Sequence, residues 1–358
     1  MDVPKTMRAA VYRGVDDVRF ETVAVPEIGV GEVLVKIDTC GICGTDLKKI
    51  HTGSHSGARV FGHEMSGTVA AVSEGVEGFT VGDRVMAFHH LPCGICFYCR
   101  KQTFAQCETY KKVGTTAGFA AAGGGFAEYI RVMDWIVKGG LVKVPDDIPF
   151  EQAAFIEPVN TCFKALKMLD LEADDTVLVM GQGSIGVILA ALAKRTGATV
   201  LTSDLYPERH AIAAGYGLDR PIDARADVVE MARVATDGRG ADVVLVAVGS
   251  DALIGMAMEA VRPGGRVMLF ASTQHGTAAF DPAAVCMEEK TLMGSYSASV
   301  AIQEEGVTLV FEGFRDGSLD LTKLISHRFG LEECGAAIEL ASNPKADSMK
   351  IVFKPGWE

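Results

Sequence analysis

Apolar and polar residues alternate in short runs over the first part of the chain: MRAAVY (7–12), VRFETVAV (18–25), EVLVKIDTC (32–40), GTVAAV (67–72) and DRVMAF (83–88). A period of two in runs this short, punctuated by Gly and Pro, predicts half-buried strands. The segment reads as an antiparallel, barrel-like lobe. After about residue 160 the pattern changes. TVLVM (176–180) runs into a Gly-rich turn and a helix-period stretch over 184–195, then ATVLTSD (198–204). Helical stretches at 207–215, 226–236 and 252–261 alternate with ADVVLVAV (241–248) and GRVMLF (265–270). Strands alternating with helices predict an α/β unit with a doubly wound parallel sheet. Residues 296–358 return to a mixed pattern and are expected to rejoin the first lobe.

At 358 residues the chain is long for one core, which agrees with two domains. The net charge of −12, without any Lys/Arg block, excludes nucleic acid and an anionic membrane surface as natural partners. The most apolar window, 176–193, contains Gly181, Gln182, Gly183, Ser184 and Gly186 and does not read as a membrane span. The opening MDVPKTMR has no apolar h-region, so the expected compartment is the cytoplasm. Thiols stay reduced there, and nine cysteines then point to metal or catalysis rather than disulfides.

Four of those cysteines, Cys93, Cys96, Cys99 and Cys107, fall in one stretch, HHLPCGICFYCRKQTFAQC (89–107). The pattern C-x2-C-x2-C-x7-C suits a tetrahedral ion held at about 2.3 Å, and four thiolates make a closed, structural zinc site. An iron–sulfur cluster or plain reduced thiols are the alternatives.

GQGSIG sets Gly181, Gly183 and Gly186 in a G-x-G-x-x-G turn between a strand and a helix that opens with Ser184 and Ile185. In that context the glycines allow a tight turn and close approach of a pyrophosphate to the helix N-terminus. Asp204 ends the next strand. A carboxylate there accepts hydrogen bonds from the adenosine ribose and repels a 2′-phosphate, which favours NAD over NADP. Arg209, five residues on, suits ribose or phosphate, and a helix-capping Asp is the plain alternative for Asp204.

TCGICGTD (39–46), FGHEMSGTV (61–69) and FIEPVNTCFKAL (155–166) contribute Cys43, His63, Glu64 and Glu157. One thiolate, one imidazole and two carboxylates form the mixed set of a catalytic zinc with an exchangeable position. Taken singly, Cys43 is also a buried small apolar residue, His63 a core histidine and Glu64 an ion-pair partner.

With these segments in this order, and GGGFAEYIRV (123–132) between them, the chain resembles the zinc-containing medium-chain dehydrogenase/reductase family over nearly its whole length, on the sorbitol and polyol dehydrogenase side. The resemblance implies a GroES-like β-barrel catalytic domain over 1–157 and 297–358 and a Rossmann NAD-binding domain over 158–296. It implies one catalytic and one structural zinc per chain. Cys43 and His63 match catalytic ligands, Glu64 a ligand or exchangeable neighbour, and Glu157 a ligand bound directly or through water. Thr45 matches the hydroxyl that accepts the substrate proton, Thr161 the residue beneath the nicotinamide, and Val248 and Ala271 its pocket. Lys48 stands where many relatives carry the outer His of the proton relay, so the relay is expected to turn through His51 or end in water. His90 matches an offset that nears the substrate in threonine-dehydrogenase-like relatives; a polar strand-end pair, His89 with His90, is the other reading.

The implied reaction moves a hydride from a secondary alcohol or polyol, a small molecule, to NAD and gives the ketone. An L-threonine 3-dehydrogenase-like enzyme is the alternative. A non-catalytic zinc- and NAD-binding structural or redox-sensing protein is the remaining class. TLMGSYSAS (291–299) looks like the relatives' intersubunit edge, which implies a homo-oligomer, dimer or tetramer.

Overall fold

The computed structural model describes residues 3–110, 112, 114–271 and 276–356, and the chain forms two compact units, Met1–Glu157 with Ser299–Glu358, and Pro158–Ala298. In the second unit six strands lie parallel in the spatial order Pro221–Asp223, Thr199–Asp204, Thr176–Met180, Ala241–Val246, Val261–Leu269 and Thr291–Gly294. The chain therefore starts in the middle of the sheet, winds to one edge, then returns and winds to the other. The strand order reverses between Thr176–Met180 and Ala241–Val246, the place where such sheets bind ligands. Thr176–Met180 is buried along its whole length, and its near-continuous apolar run is what a strand covered on both faces requires.

The first unit is built mainly of antiparallel strands. A seven-stranded sheet runs Ile325–Phe329, Lys350–Phe353, Val33–Gly41, Glu64–Val72, Arg84–Ala87 and Leu141–Lys143, with Tyr129–Val132 also paired to Val33–Gly41. The first pair is parallel. A hairpin of Thr6–Gly14 and Asp17–Ala24 packs beside it, tied by bridges from Ala9 to Ala127 and Tyr12 to Arg59. Tyr12, Phe61, Phe126 and Phe353 are among the largest fully buried side chains, and Phe126 meets Phe353 edge to face at 4.9 Å between ring centres. The last strand closes the unit: Val352 lies opposite Gly41 and Phe353 opposite Cys40.

One element differs from the pattern-based expectation. The helix expected over 226–236 forms only as Val228–Val234, entered at Asp227, whose side chain accepts from the Glu230 N–H. FIEPVNTCFKAL lies almost wholly in a helix, Ile156–Leu169. Pro158 sits in its first turn, where the missing N–H costs nothing.

Candidate metal centres and cofactor site

Cys43 is the residue that leads into the helix Gly44–Thr52, and His63 and Glu64 lie at the start of the strand Glu64–Val72. That strand pairs with Val33–Gly41, placing Glu64 opposite Gly41, two residues before Cys43. The pairing brings the Cys43, His63 and Glu64 ligand atoms within 4.8 Å of one another, with His63 and Glu64 buried. Thr45, the second residue of the helix, donates from Oγ1 to Cys43 Sγ at 3.3 Å and lies 3.4 Å from His63 Nε2.

Asp46 organises this corner, and the reading of the sequence did not single it out. It is fully buried. Its Oδ2 accepts from the Cys43 N–H at 3.3 Å, and its Oδ1 lies 3.1 Å from His63 Nδ1 and accepts from the Gly62 N–H at 3.4 Å. A carboxylate on Nδ1 fixes the proton there and leaves Nε2, on the Thr45 side, as the nitrogen that would meet a metal. Burial alone would push the His63 imidazole down, but the negative charges of Asp46 and Cys43 outweigh it and hold it well above its ordinary value. A cation is thus favoured where a metal would sit. The signal was available: Asp46 is the third helical residue after Cys43, where a side chain reaches back to the helix entrance. Asp46→Asn is expected to lower metal retention or turnover by about 10–100-fold, measured by metal content after dialysis against a chelator; wild-type retention with wild-type turnover would remove Asp46 from the site.

Glu157 lies outside the mutual 4.8 Å set of Cys43, His63 and Glu64. It is buried in the first turn of Ile156–Leu169. Burial pushes its carboxyl up to about 7; the His63 charge opposes the shift and Glu64 adds to it. The group is therefore in electrostatic reach of the corner.

The histidine pair resolves into part of a row of tilted rings. His89, buried, lies 4.5 Å from His63 between ring centres, His90 lies 4.1 Å beyond it, and Tyr110 5.3 Å beyond that. His89, rather than His90, is thus the ring directly against His63. His51 faces the opposite way, with Nδ1 2.5 Å from Asp16 and Nε2 2.8 Å from Ser342 Oγ on the exposed surface. It ties two helix ends to a hairpin turn.

In the cysteine lobe the four sulfurs converge within 4.8 Å. Cys96 and Cys99 are 3.5 Å apart and Cys93 and Cys99 4.0 Å. Four sulfurs at about 2.3 Å from one tetrahedral ion stand about 3.8 Å from each other, so the donor set fits zinc. Burial raises the Cys107 thiol, but N–H donors of Cys93 and Thr109 hold it down to about 6, while burial and the neighbouring sulfurs push the Cys99 thiol up to about 12; a bound cation would favour the thiolate at both.

The Gly turn follows Thr176–Met180 and opens the helix Ser184–Lys194, with Gly183 as its entering residue. Gly181 has φ +95°, in the left-handed region, and a Cβ there would run into Val248. A Cβ on Gly186 would collide with the Gly181 carbonyl, so the helix packs against the turn only without one. Around Gly183 a Cβ would meet nothing within 4 Å. That open space over the helix entrance, with Ser184 and Ile185 in the first turn, fits a pyrophosphate.

Asp204, at the end of Thr199–Asp204, accepts from the Gln182 N–H at 2.7 Å and from the Tyr206 N–H at 3.0 Å. Arg209 lies 3.5 Å from its Oδ2 and 4.8 Å over the Tyr206 ring. The strand-end carboxylate therefore braces the Gly turn as well as facing the next loop. Val248 follows Ala241–Val246 and is exposed, Ala271 follows Val261–Leu269, and Thr161 donates to the Pro158 carbonyl at 2.8 Å.

Comparison with known proteins agrees with this geometry. Residues 29–146 match the alcohol dehydrogenase GroES-like domain and residues 184–312 the zinc-binding dehydrogenase domain. Sorbitol dehydrogenase of Bacillus subtilis is 30% identical over 99% of this chain and 98% of its own. L-threonine 3-dehydrogenase of Sinorhizobium medicae is 31% identical over 93% and 94%. The crystal structure of 2R,3R-butanediol dehydrogenase from Bacillus subtilis superposes with a TM-score of 0.84 at 27% identity, covering 98% of this chain and 100% of that one. The chain belongs to the zinc-containing medium-chain dehydrogenase/reductase family, and is an oxidoreductase with a GroES-like domain and a Rossmann domain. Among the described residues no helix is long and apolar enough to cross a membrane.

Proposed function

We propose that this chain oxidises a secondary alcohol or polyol to the ketone with NAD, using a zinc held by Cys43 and His63 with Glu64 and Glu157 beside them. The observation that carries the reading is the convergence of a thiolate, a tautomer-fixed imidazole and a carboxylate in one buried corner. When bound, zinc supplies Lewis acidity toward an alcohol oxygen and NAD supplies the hydride acceptor. The chain's own residues do the rest. Asp46 holds the Nδ1 proton of His63, so that Nε2 would be the nitrogen offered to the zinc. Thr45 Oγ1, beside both Cys43 and His63, accepts the alcohol proton and passes its own outward, since a hydroxyl donates and accepts at once. Cys93, Cys96, Cys99 and Cys107 hold a second, structural zinc.

In the second unit Gly181, Gly183, Ser184, Ile185 and Gly186 cradle the pyrophosphate, Asp204 and Arg209 the adenosine ribose, and Thr161, Val248 and Ala271 the nicotinamide. Asp204→Ala is expected to move the kcat/KM ratio of NADP over NAD upward by at least about tenfold. A like charge against a 2′-phosphate costs several kcal/mol, of which about 1.4 is a factor of ten. Steady-state rates with both cofactors on one alcohol test it, and an unchanged ratio would assign Asp204 to bracing the turn alone.

The test of the function is reduction of NAD and NADP on polyols, vicinal diols, simple secondary alcohols and L-threonine. NAD reduction with a polyol or diol supports the reading. Turnover on L-threonine alone favours the second reading, a threonine dehydrogenase, which the Sinorhizobium medicae relative also favours. Silence on all of them, with metal and NAD bound, refutes both substrate classes.

A further inference from the structure

The segment that follows the last parallel strand is held by a lysine from the helix Ile156–Leu169. Lys164 lies three residues after Thr161, so the two share one face of that helix. Its Nζ donates to the Tyr296 carbonyl at 2.8 Å and to the Ser297 carbonyl at 3.4 Å. The ammonium is partly buried, and burial holds it below the usual lysine range. Among the described residues its partners are these carbonyls and not a carboxylate. A charged donor makes the stronger kind of hydrogen bond, so the two carbonyls are tied firmly to the helix.

The tied segment needs such a hold. Ser297 has φ +65°, in the left-handed region, where a residue with a side chain stays only if its surroundings require it. A trans peptide sets its C=O and N–H on opposite sides. With the Tyr296 and Ser297 carbonyls turned to Lys164, the N–H groups of Ser297 and Ala298 point away from it. Ala298 is buried, and its N–H meets no acceptor among the described residues. The buried Ser295 hydroxyl has no partner among them either. Buried polar groups ordinarily find partners, so two unmet ones in four residues point to a ligand.

The place agrees. Thr291–Gly294 pairs with Val261–Leu269, and the Ser295 N–H donates to the Leu269 carbonyl at 3.2 Å. The segment therefore leaves the sheet beside Ala271, at the strand ends where sheets of this kind bind ligands.

We propose that Lys164 is a positioning residue for the nicotinamide end of the cofactor: it fixes residues 295–298 in the shape that offers their donors to the nicotinamide amide. The inference rests on the NAD reading above. Without Lys164 the segment relaxes from its left-handed turn, and the adenosine end of the cofactor is untouched.

The test compares two ligands on the full-length protein by calorimetric titration. NADH uses both ends of the cofactor site; ADP-ribose uses only the adenosine and pyrophosphate end. Lys164→Met is expected to raise the ratio of the NADH Kd to the ADP-ribose Kd by about tenfold, the scale of one lost hydrogen bond to a charged group. The ADP-ribose Kd itself stays at the wild-type value, and Lys164→Arg, which keeps the charge and the donors, keeps the ratio. An unchanged ratio in Lys164→Met overturns the proposal. That includes equal weakening of both ligands, which assigns Lys164 to the fold of the unit alone. Where Lys164→Met does not fold, Lys164→Gln, which keeps an N–H donor without the charge, must move the ratio in the same direction. Failure of the wild type to bind either ligand refutes the cofactor reading itself; binding of both with a ratio indifferent to Lys164 refutes only the role of Lys164.

Discussion

Cys43→Ser is expected to release the metal of the His63 corner and to cut alcohol-dependent cofactor reduction by more than about a hundredfold. The scale follows from ligand partners, whose loss alone costs about 10–100-fold; loss of the ligand itself exceeds that. Serine keeps the shape but not the thiolate, because a hydroxyl does not ionise at neutral pH. The backbone has no reason to suffer. Cys43 precedes the helix Gly44–Thr52 with extended dihedrals, a position that serine fills well. The variant should therefore unfold at the wild-type temperature, hold the zinc of the cysteine lobe and lose the other. Metal analysis, thermal unfolding and rate measured on one preparation decide it. Full metal content with full turnover would end the assignment of this corner as the reaction centre.

Cys107→Ser should act on stability first. Cys107 is the buried thiol that closes the lobe after the C-x2-C-x2-C run, and it packs with Cys99 and Tyr110 in a small cluster apart from the two main cores. So small a core has little else to hold it, and on the proposed reading a bound zinc would supply most of its folding energy, on the order of 10 kcal/mol in isolated zinc-binding peptides. Loss of even a few kcal/mol lowers the unfolding midpoint by roughly 10 °C in a unit of this size. Binding of NAD, which depends on the other unit, should persist. Activity should fall too, because Tyr110 is the end of the row of tilted rings that reaches His63 through His90 and His89. One fewer zinc per chain with an unchanged midpoint would show that the lobe folds on its own side chains.

The architecture was legible where local pattern and tertiary role coincide. The central strands of the parallel sheet are continuous apolar runs because both faces are covered, and they read as strands without any partner in view. GQGSIG was legible for the same reason: the glycines answer demands of the turn itself, a positive φ at Gly181 and the close carbonyl at Gly186. Cys43, His63 and Glu64 were legible as chemistry but not as neighbours, since only the pairing of Glu64 with Gly41 brings them together. What the sequence hid was the support around them. Nothing local marks Asp46 as buried against His63, and nothing local says that Lys350 is buried against Glu64. His51, expected as the turn of a proton relay, is held at the surface by Asp16 and Ser342, a pairing between residues far apart in sequence that no spacing reveals.

The split of the first unit between the two ends of the chain has a consequence for how the protein is made. Pro158–Ala298 is continuous, so its parallel sheet has all its strands as soon as that segment leaves the ribosome. The other unit must wait. Lys350 bonds to a residue 308 positions earlier, and until the last strand emerges Glu64 has no ammonium beside it and Gly41 faces an unfilled edge. The acidic, thiol-bearing corner is therefore completed late, by a strand that is made only after the whole of the parallel-sheet unit.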